Sequence, residues 1–192
     1  MKALETRGFE VTGLDSNGPF LNRARTEFGV RGTLIEANAL DPVPGDPFDL
    51  ALIMNASLSC FSREEAPRVL AHIHAALHAG GEALVHLANP DFALKYMPLR
   101  WWYRGRNSLL AMEERDTHEP GFCKVTQIRI RTGFAATPQI TRHHLRLTYF
   151  RDEETRQMLS QAGFLVLESW GDWKGGPVDE DHSHLIYHCR RA

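Results

Sequence analysis

Phe9-Glu10-Val11-Thr12-Gly13-Leu14-Asp15 is the stretch on which the fold turns. It predicts a strand over residues 9–14 that runs straight into an acidic residue, and the Asn17-Gly18-Pro19 that follows opens a helix. In nucleotide-binding α/β folds, a carboxylate at the C-terminal tip of a strand takes both hydroxyls of a ribose, because it accepts two hydrogen bonds at once. Ahead of this unit, Lys2 to Arg7 reads as the end of a helix stopped by Gly8. The strand and glycine-rich turn that precede such a unit in these folds are absent from the 192 residues, so the expectation is an N-terminally incomplete α/β core.

Working outward, the same rhythm continues. A helix is predicted from Asn17 through Phe28, with Phe20, Leu21, Ala24 and Phe28 sharing its apolar face. Residues 33–37 predict a second strand. The run Asp41-Pro42-Val43-Pro44-Gly45-Asp46-Pro47 cannot be regular structure, since proline fixes φ and removes a donor. Phe48 to Met54 is a continuous apolar run, as expected of a strand buried on both faces. Residues 63–79 predict a helix with Ala66, Leu70, Ile73 and Leu77 inward, closed by Gly80-Gly81. A strand over 82–88 is halted by Asn89-Pro90. This alternation predicts a mostly parallel, doubly wound sheet. The pattern then changes. Residues 107–118, 122–132 and 139–150 are long, alternating and separated by turn signals, which predicts a three-stranded antiparallel insertion. Residues 151–162 return to helix before Gly163, and strands are expected over 164–170 and 184–190. The organisation is therefore an α/β core over 1–90, an insertion or lid over 91–150, and a closing helix and two strands over 151–192.

Composition sets outer limits. Hydrophobic residues make up 43% of the chain, charged residues 24%, and the formal net charge is −2, so no global field favours nucleic acid or an anionic membrane. The Arg runs lack the interleaved aromatics of a nucleic-acid groove. No apolar run approaches the roughly 20 residues that span a bilayer. The charged N-terminus is not a signal peptide, and Cys60, Cys123 and Cys189 have neither disulfide nor zinc-knuckle spacing, so a reducing cytoplasm is the expected location. His74 and His78 stand four apart with His72 beside them, but lack the zincin glutamate. They read as a solvated helix face, and no metal site is expected.

Four polar features fall at strand tips along one sheet edge: Asp15, Glu36-Ala37-Asn38-Ala39, Asn55-Ala56-Ser57, and the Gly80-Gly81 turn that leads into the next strand. Each has a plainer reading: Asp15 as a helix cap, Asn38 as a turn residue, Asn55 as the end of a buried strand, Gly80-Gly81 as a helix stop.

With these segments in order, the chain resembles the class I S-adenosylmethionine-dependent methyltransferases. The family's "V-x-G-x-D-x-S-x-x-M-L" segment stands as residues 11–21, Val11 through Leu21. Its "G-D-A-x-x-L-P" loop stands as Ala37-Asn38-Ala39-Leu40-Asp41-Pro42, and its "F-D-L-V" strand as Phe48-Asp49-Leu50-Ala51. Its "L-K-P-G-G-x-L-V" turn stands as residues 77–85, and its "L-x-x-A-G-F" tail as Leu159-Ser160-Gln161-Ala162-Gly163-Phe164. The family's glycine-rich "G-x-G-x-G" turn is not in the chain. The resemblance implies a Rossmann-like sandwich and transfer of a methyl group from S-adenosylmethionine to a small-molecule acceptor. It also implies that Asp15 takes the ribose hydroxyls and that Phe20 packs near the adenine. Asn38, in place of the usual aspartate, would face the adenine amino group, the Ala39 N–H would lie near the ring, and Asn55 would sit beside the methionine part. Methyl displacement needs alignment above all, so a base is optional. If one exists, His118, His143 and His144 of the insertion are the candidates. Trp101-Trp102-Tyr103-Arg104 is either a substrate platform or apolar cover, and the insertion is a possible homodimer contact. Two other readings are a truncated or degenerate relative serving as a non-catalytic binding or oligomerising module, and a dinucleotide-dependent oxidoreductase, which the methyltransferase-like tail disfavours.

Overall fold

The structure is a computed structural model that describes all residues except 46, 105–108 and 132–138. The turn expected over 133–138 and the expected strand start at Asn107 lie outside the described residues.

The chain opens with helix α1 (Lys2–Glu5), strand β1 (Thr12–Asp15), helix α2 (Gly18–Thr26) and strand β2 (Thr33–Glu36). β1 and β2 pair in parallel with Asp15 opposite Glu36. Their loops are tied down locally. The Glu5 carboxylate accepts the N–H groups of Arg31 (2.9 Å) and Gly32 (2.6 Å), which holds its pKa below the usual carboxylate value. Gly32 must be glycine, since a Cβ there would run into the Val11 carbonyl oxygen. Asn17 caps α2, its side chain accepting from the Phe20 N–H at 3.2 Å, with Pro19 in the first turn. The expected apolar stripe of α2 is only half buried. Leu21 and Ala24 turn inward, but Phe20 is 59% and Phe28 63% exposed, because α2 packs on a sheet of two strands.

The main sheet has the order β3-β4-β10-β9, from β3 (Phe48–Ile53), β4 (Leu77–Ala88), β9 (Phe164–Trp170) and β10 (His184–Arg191). β3 and β4 are parallel; β10 is antiparallel to both its neighbours. Helices α3 (Ala66–Ala76) and α5 (Asp152–Gln161) cover one face. Leu70, Leu159, Val85, Leu185 and Tyr187 are fully buried there, each large side chain worth about 1.5–3 kcal/mol of transfer free energy. The buried Tyr187 hydroxyl donates to Asp152 Oδ1 at 2.8 Å.

β3 was expected to be buried on both faces, yet Leu50 is 47% and Leu52 42% exposed. β3 is an edge strand of its sheet, and the packed helices cover only the opposite face. The helix expected over 63–79 ends at Ala76. Leu77 already has strand dihedrals and pairs with Phe48, and the register then slips before Leu50 pairs with Glu82. Gly80 lies in that slip with φ +76, a conformation glycine adopts freely.

Among the described residues the insertion has four strands rather than three. β5 (Arg100–Arg104), β6 (Leu109–Asp116), β7 (Phe122–Arg131) and β8 (Gln139–Thr148) form an antiparallel meander in sequence order. The aromatic cluster is β5 itself: Trp101 lies under the Arg115 guanidinium at 4.6 Å, while Trp102 and Tyr103 are exposed. A helix α4 (Pro90–Tyr96) precedes it, capped by Asn89, whose Oδ1 accepts the Asp91 N–H at 3.0 Å. The Asn-Pro pair that stops β4 thus also starts a helix. Arg63 ties insertion to core: it donates to Glu154 (2.7 Å), to the Tyr149 carbonyl (2.7 Å) and to the Gly121 carbonyl (3.4 Å).

Candidate functional site

The C-terminal tips of β1 and β2 present acidic and amide groups side by side. Asp15 ends β1, and its carbonyl oxygen accepts the Ala37 N–H at 3.2 Å, which fixes the loop after β2 against the tip of β1. Asp15 Oδ1 accepts the Asn17 N–H at 2.8 Å. This local turn orients the carboxylate of an exposed residue, and among the described residues no hydrogen bond uses its second oxygen. Phe20, in the first turn of α2, exposes its ring on the same edge.

Asn38 is held by its own loop. Its Oδ1 accepts the Leu40 N–H at 3.0 Å, and its carbonyl accepts the Asp41 N–H at 2.9 Å. A backbone N–H can only donate, so the side-chain oxygen is the atom turned inward and the NH2 group is the one presented outward. The outward group is therefore a donor. Among the described residues no hydrogen bond uses the Ala39 N–H, and Ala39 and Leu40 pack against the main core.

At the tip of β3 the backbone changes hand. Asn55 and Ala56 both have φ +56. The Asn55 N–H donates to His86 Nδ1 at 3.1 Å, and the Ala56 N–H donates to the His86 carbonyl at 3.0 Å. His86, near the end of β4, is 7% exposed. Its Nε2 lies 3.0 Å from Nδ1 of His184, at the start of β10, and Trp173 meets the His86 ring edge-on at 5.1 Å. Burial, then the neighbouring His184, pushes the His86 pKa below its usual value. The loop carrying Trp173 is clamped from beneath by buried Asn89, whose Nδ2 donates to the carbonyls of Asp179 (2.6 Å) and His182 (2.8 Å).

Asp15, Phe20, Asn38, Ala39 and Asn55 thus lie at or just after the β1, β2 and β3 tips. His118, His143 and His144 lie elsewhere, exposed on the insertion. His118 pairs with Asp116 at 2.6 Å, and His144 Nδ1 faces the Thr126 hydroxyl at 3.2 Å. The expectation of a solvated helix face fails for His74. Its ring meets Phe164 edge-on at 5.2 Å, and burial followed by Arg191 pushes its pKa down. Among the described residues no three His, Cys, Asp or Glu side chains gather as a metal site. Sequence reasoning missed the His86–His184 pair. The two residues lie 98 apart in sequence, and only the β4–β10 register brings them together. A separate cleft of about 390 Å³ lies between α4, the insertion and α5, lined by Arg63, Leu94, Tyr149, Arg151 and Glu154.

Residues 1–81 match the family model described as "Methyltransferase domain". Solved structures with the same fold include an S-adenosylmethionine-dependent methyltransferase from Clostridium acetobutylicum. It has a TM-score of 0.83 and 12% identity, over 95% of this chain and 75% of that one. The CcbJ methyltransferase from Streptomyces caelestis matches at TM-score 0.83 and 19% identity, over 98% and 77%. CalS10 from Micromonospora echinaspora, an amino pentose methyltransferase involved in calicheamicin biosynthesis, matches at TM-score 0.76 and 17% identity, over 100% and 78%. No curated protein matches the sequence. Among the described residues no helix is long and apolar enough to cross a membrane.

Proposed function

We propose that this chain is a class I S-adenosylmethionine-dependent methyltransferase, a reading supported by the domain match over residues 1–81 and by the shared fold, and that it moves the cofactor's methyl group to a small-molecule acceptor. The observation that carries the reading is the Asp15 carboxylate, oriented by the Asn17 N–H and open on its other oxygen, beside an exposed Phe20 ring and the outward groups of Asn38 and Ala39. The carboxylate, the ring and the Ala39 N–H suit a nucleoside, and the Asn38 NH2 is the one member that meets the adenine amino group donor to donor. Asp15 holds the ribose hydroxyls, Phe20 lies along the adenine, and Asn38 and the Ala39 N–H meet the edge of the base. Asn55, at the β3 tip, faces the methionine part.

With S-adenosylmethionine bound, the site holds a methyl group on a positively charged sulfur, ready for direct displacement. The chain's own task is then alignment and exclusion of water, which together supply most of the rate in such a reaction. Trp173, exposed near Asn55 and His86, offers an apolar face for a ring-shaped acceptor. The likeness to an amino pentose methyltransferase makes amino sugars the first class to test. The proposal places the protein in the cytoplasm, its three thiols free. It also places a homodimer contact on the insertion, where Trp102 and Tyr103 lie exposed on β5, an edge strand of its sheet.

The test is calorimetric titration with S-adenosylmethionine. Asp15→Ala is expected to weaken binding by roughly 1.5–3 kcal/mol, the worth of hydrogen bonds to a charged group. Unchanged affinity would remove Asp15 from the site. Transfer of a labelled methyl to amino sugars, and not to nucleic acid or protein, is the result expected for the acceptor class.

A further inference from the structure

Among the described residues, Asn55 and Ala56 are the non-glycine positions with positive φ. Two successive left-handed residues do not persist unless something holds them. Both are held by one residue. His86 accepts the Asn55 N–H on Nδ1 (3.1 Å) and the Ala56 N–H on its carbonyl oxygen (3.0 Å). The first contact also settles the chemistry of the ring. A backbone amide only donates, so Nδ1 carries no proton and neutral His86 is protonated on Nε2. That Nε2–H points at His184 Nδ1, 3.0 Å away, which must therefore accept, leaving the His184 proton on its own Nε2. The result is a hydrogen-bond chain with one direction, from Asn55 through His86 to His184. Trp173 packs against both rings, at 5.1 and 6.2 Å.

We propose that His86 is the positioning residue of the β3-tip turn: fixed in one neutral tautomer, it holds Asn55 and Ala56 left-handed and so sets the place of the methionine end of S-adenosylmethionine. This rests on the reading above that Asn55 faces that part of the cofactor. His184 is the second anchor, keeping the His86 ring from rotating away. It follows that the pair is not the base of the reaction. Both Nδ1 atoms are occupied, and the outer nitrogen of His184 carries a proton, so the pair offers a donor towards the acceptor substrate and takes nothing from it. The lowered His86 pKa agrees with this, since a protonated ring could not accept from Asn55.

Two substitutions separate positioning from bulk structure. In His86→Asn the amide oxygen falls where Nδ1 stands and still accepts the Asn55 N–H. In His86→Leu the volume is kept and the acceptor is lost. Titration calorimetry of the whole chain with S-adenosylmethionine should show His86→Asn within about threefold of wild type and His86→Leu weaker by about tenfold or more. Equal affinities for the two variants would overturn the proposal, whether both are retained or both lost. If His86→Leu does not fold, as judged by circular dichroism, the comparison of His86→Asn with wild type still stands. NMR of wild-type protein labelled with ¹⁵N-histidine gives an independent answer without cofactor. At pH 8 both rings should show the Nε2–H form, and an Nδ1–H signal from His86 would overturn the proposal. Wild-type protein that binds no S-adenosylmethionine would defeat the reading of the site, and the proposal's cofactor role with it. The NMR result would show separately whether His86 still locks the turn.

Discussion

Replacing Asn89 should loosen one end of the site by a calculable amount. Asn89 is 4% exposed and uses every side-chain group it has. Oδ1 caps α4 through the Asp91 N–H (3.0 Å), and Nδ2 donates to the carbonyls of Asp179 (2.6 Å) and His182 (2.8 Å). In Asn89→Ala the cap is lost, at about 1 kcal/mol. Two carbonyls also lose their donors. An unsatisfied buried acceptor costs about 1–3 kcal/mol, and the lower end applies here because Asp179 and His182 lie near the surface, where water can replace the amide. The sum is about 3 kcal/mol. For a domain of this size each kcal/mol lowers the melting temperature by about 2–4 °C, so a fall of about 6–12 °C is expected in a thermal melt. Asn89→Asp is the sharper variant. It keeps the capping oxygen but sets a second carboxylate oxygen against two carbonyl oxygens, so at neutral pH it should destabilise at least as much as alanine. It should recover partly in acid, where the protonated carboxyl donates one bond. Fluorescence of Trp173, whose loop Asn89 clamps, should report greater exposure in both variants. A change below about 0.5 kcal/mol in urea unfolding of Asn89→Ala would refute the reasoning and mean the loop is held by other contacts.

Asn38→Asp should bind S-adenosylmethionine more tightly, by about fivefold to tenfold in calorimetry. Oδ1 is already taken by the Leu40 N–H, so the present NH2 faces the adenine amino group donor to donor, and a carboxylate oxygen would turn that contact into an accepted, charge-assisted bond; weaker binding would refute this orientation. Stability should fall as pH drops below 6.5, the ordinary histidine value, because burial pushes the folded-state pKa of His74 and His86 down. The unfolded chain then binds protons first, so urea midpoints should be lower at pH 5.5 than at pH 7.5, and a flat or rising profile would contradict the sign. His182, raised by its bond to Asp179, opposes this trend, but it lies at the surface.

Local signals carried most of the first half of the fold. Asn17 caps α2, and Ala66 and Leu70 face inward as their helical spacing requires. The β9 bounds match residue for residue, and Gly163 takes the left-handed conformation expected after α5. What failed depended on neighbours far away in sequence. An apolar run says that a strand can be buried, but not that anything covers it, and Leu50 and Leu52 show the difference. Trp101-Trp102-Tyr103 has no alternation to announce β5, because an edge strand on an exposed sheet need not alternate cleanly. The outward group of Asn38 depends on which atom its own loop consumes, which composition does not reveal. His86 and His184 meet diagonally across β4 and β10, a contact that exists only once the antiparallel register is set.

The proposed site draws on two sheets, and this shapes how it must work. Asp15, Phe20, Asn38 and Ala39 belong to the β1–β2 unit and its loops, whereas Asn55, His86 and His184 belong to the four-stranded sheet. Among the described residues no strand ladder joins the two sheets. Their union rests on side chains, with Ala39 and Leu40 packed against the main core and Arg68 reaching the Leu40 carbonyl at 3.5 Å. Contacts of that kind resist separation but tolerate sliding, because packing is less directional than a hydrogen-bonded ladder. A nucleoside held at Asp15 and a sulfonium held near Asn55 would span the two sheets, so cofactor binding would order them against each other. The ordering costs binding energy, and its magnitude rises with the freedom each end retains in the free protein. A turn already locked at Asn55 and Ala56 removes one part of that cost before any ligand arrives. That is the physical reason for burying a histidine pair at this strand tip where apolar residues would pack more simply.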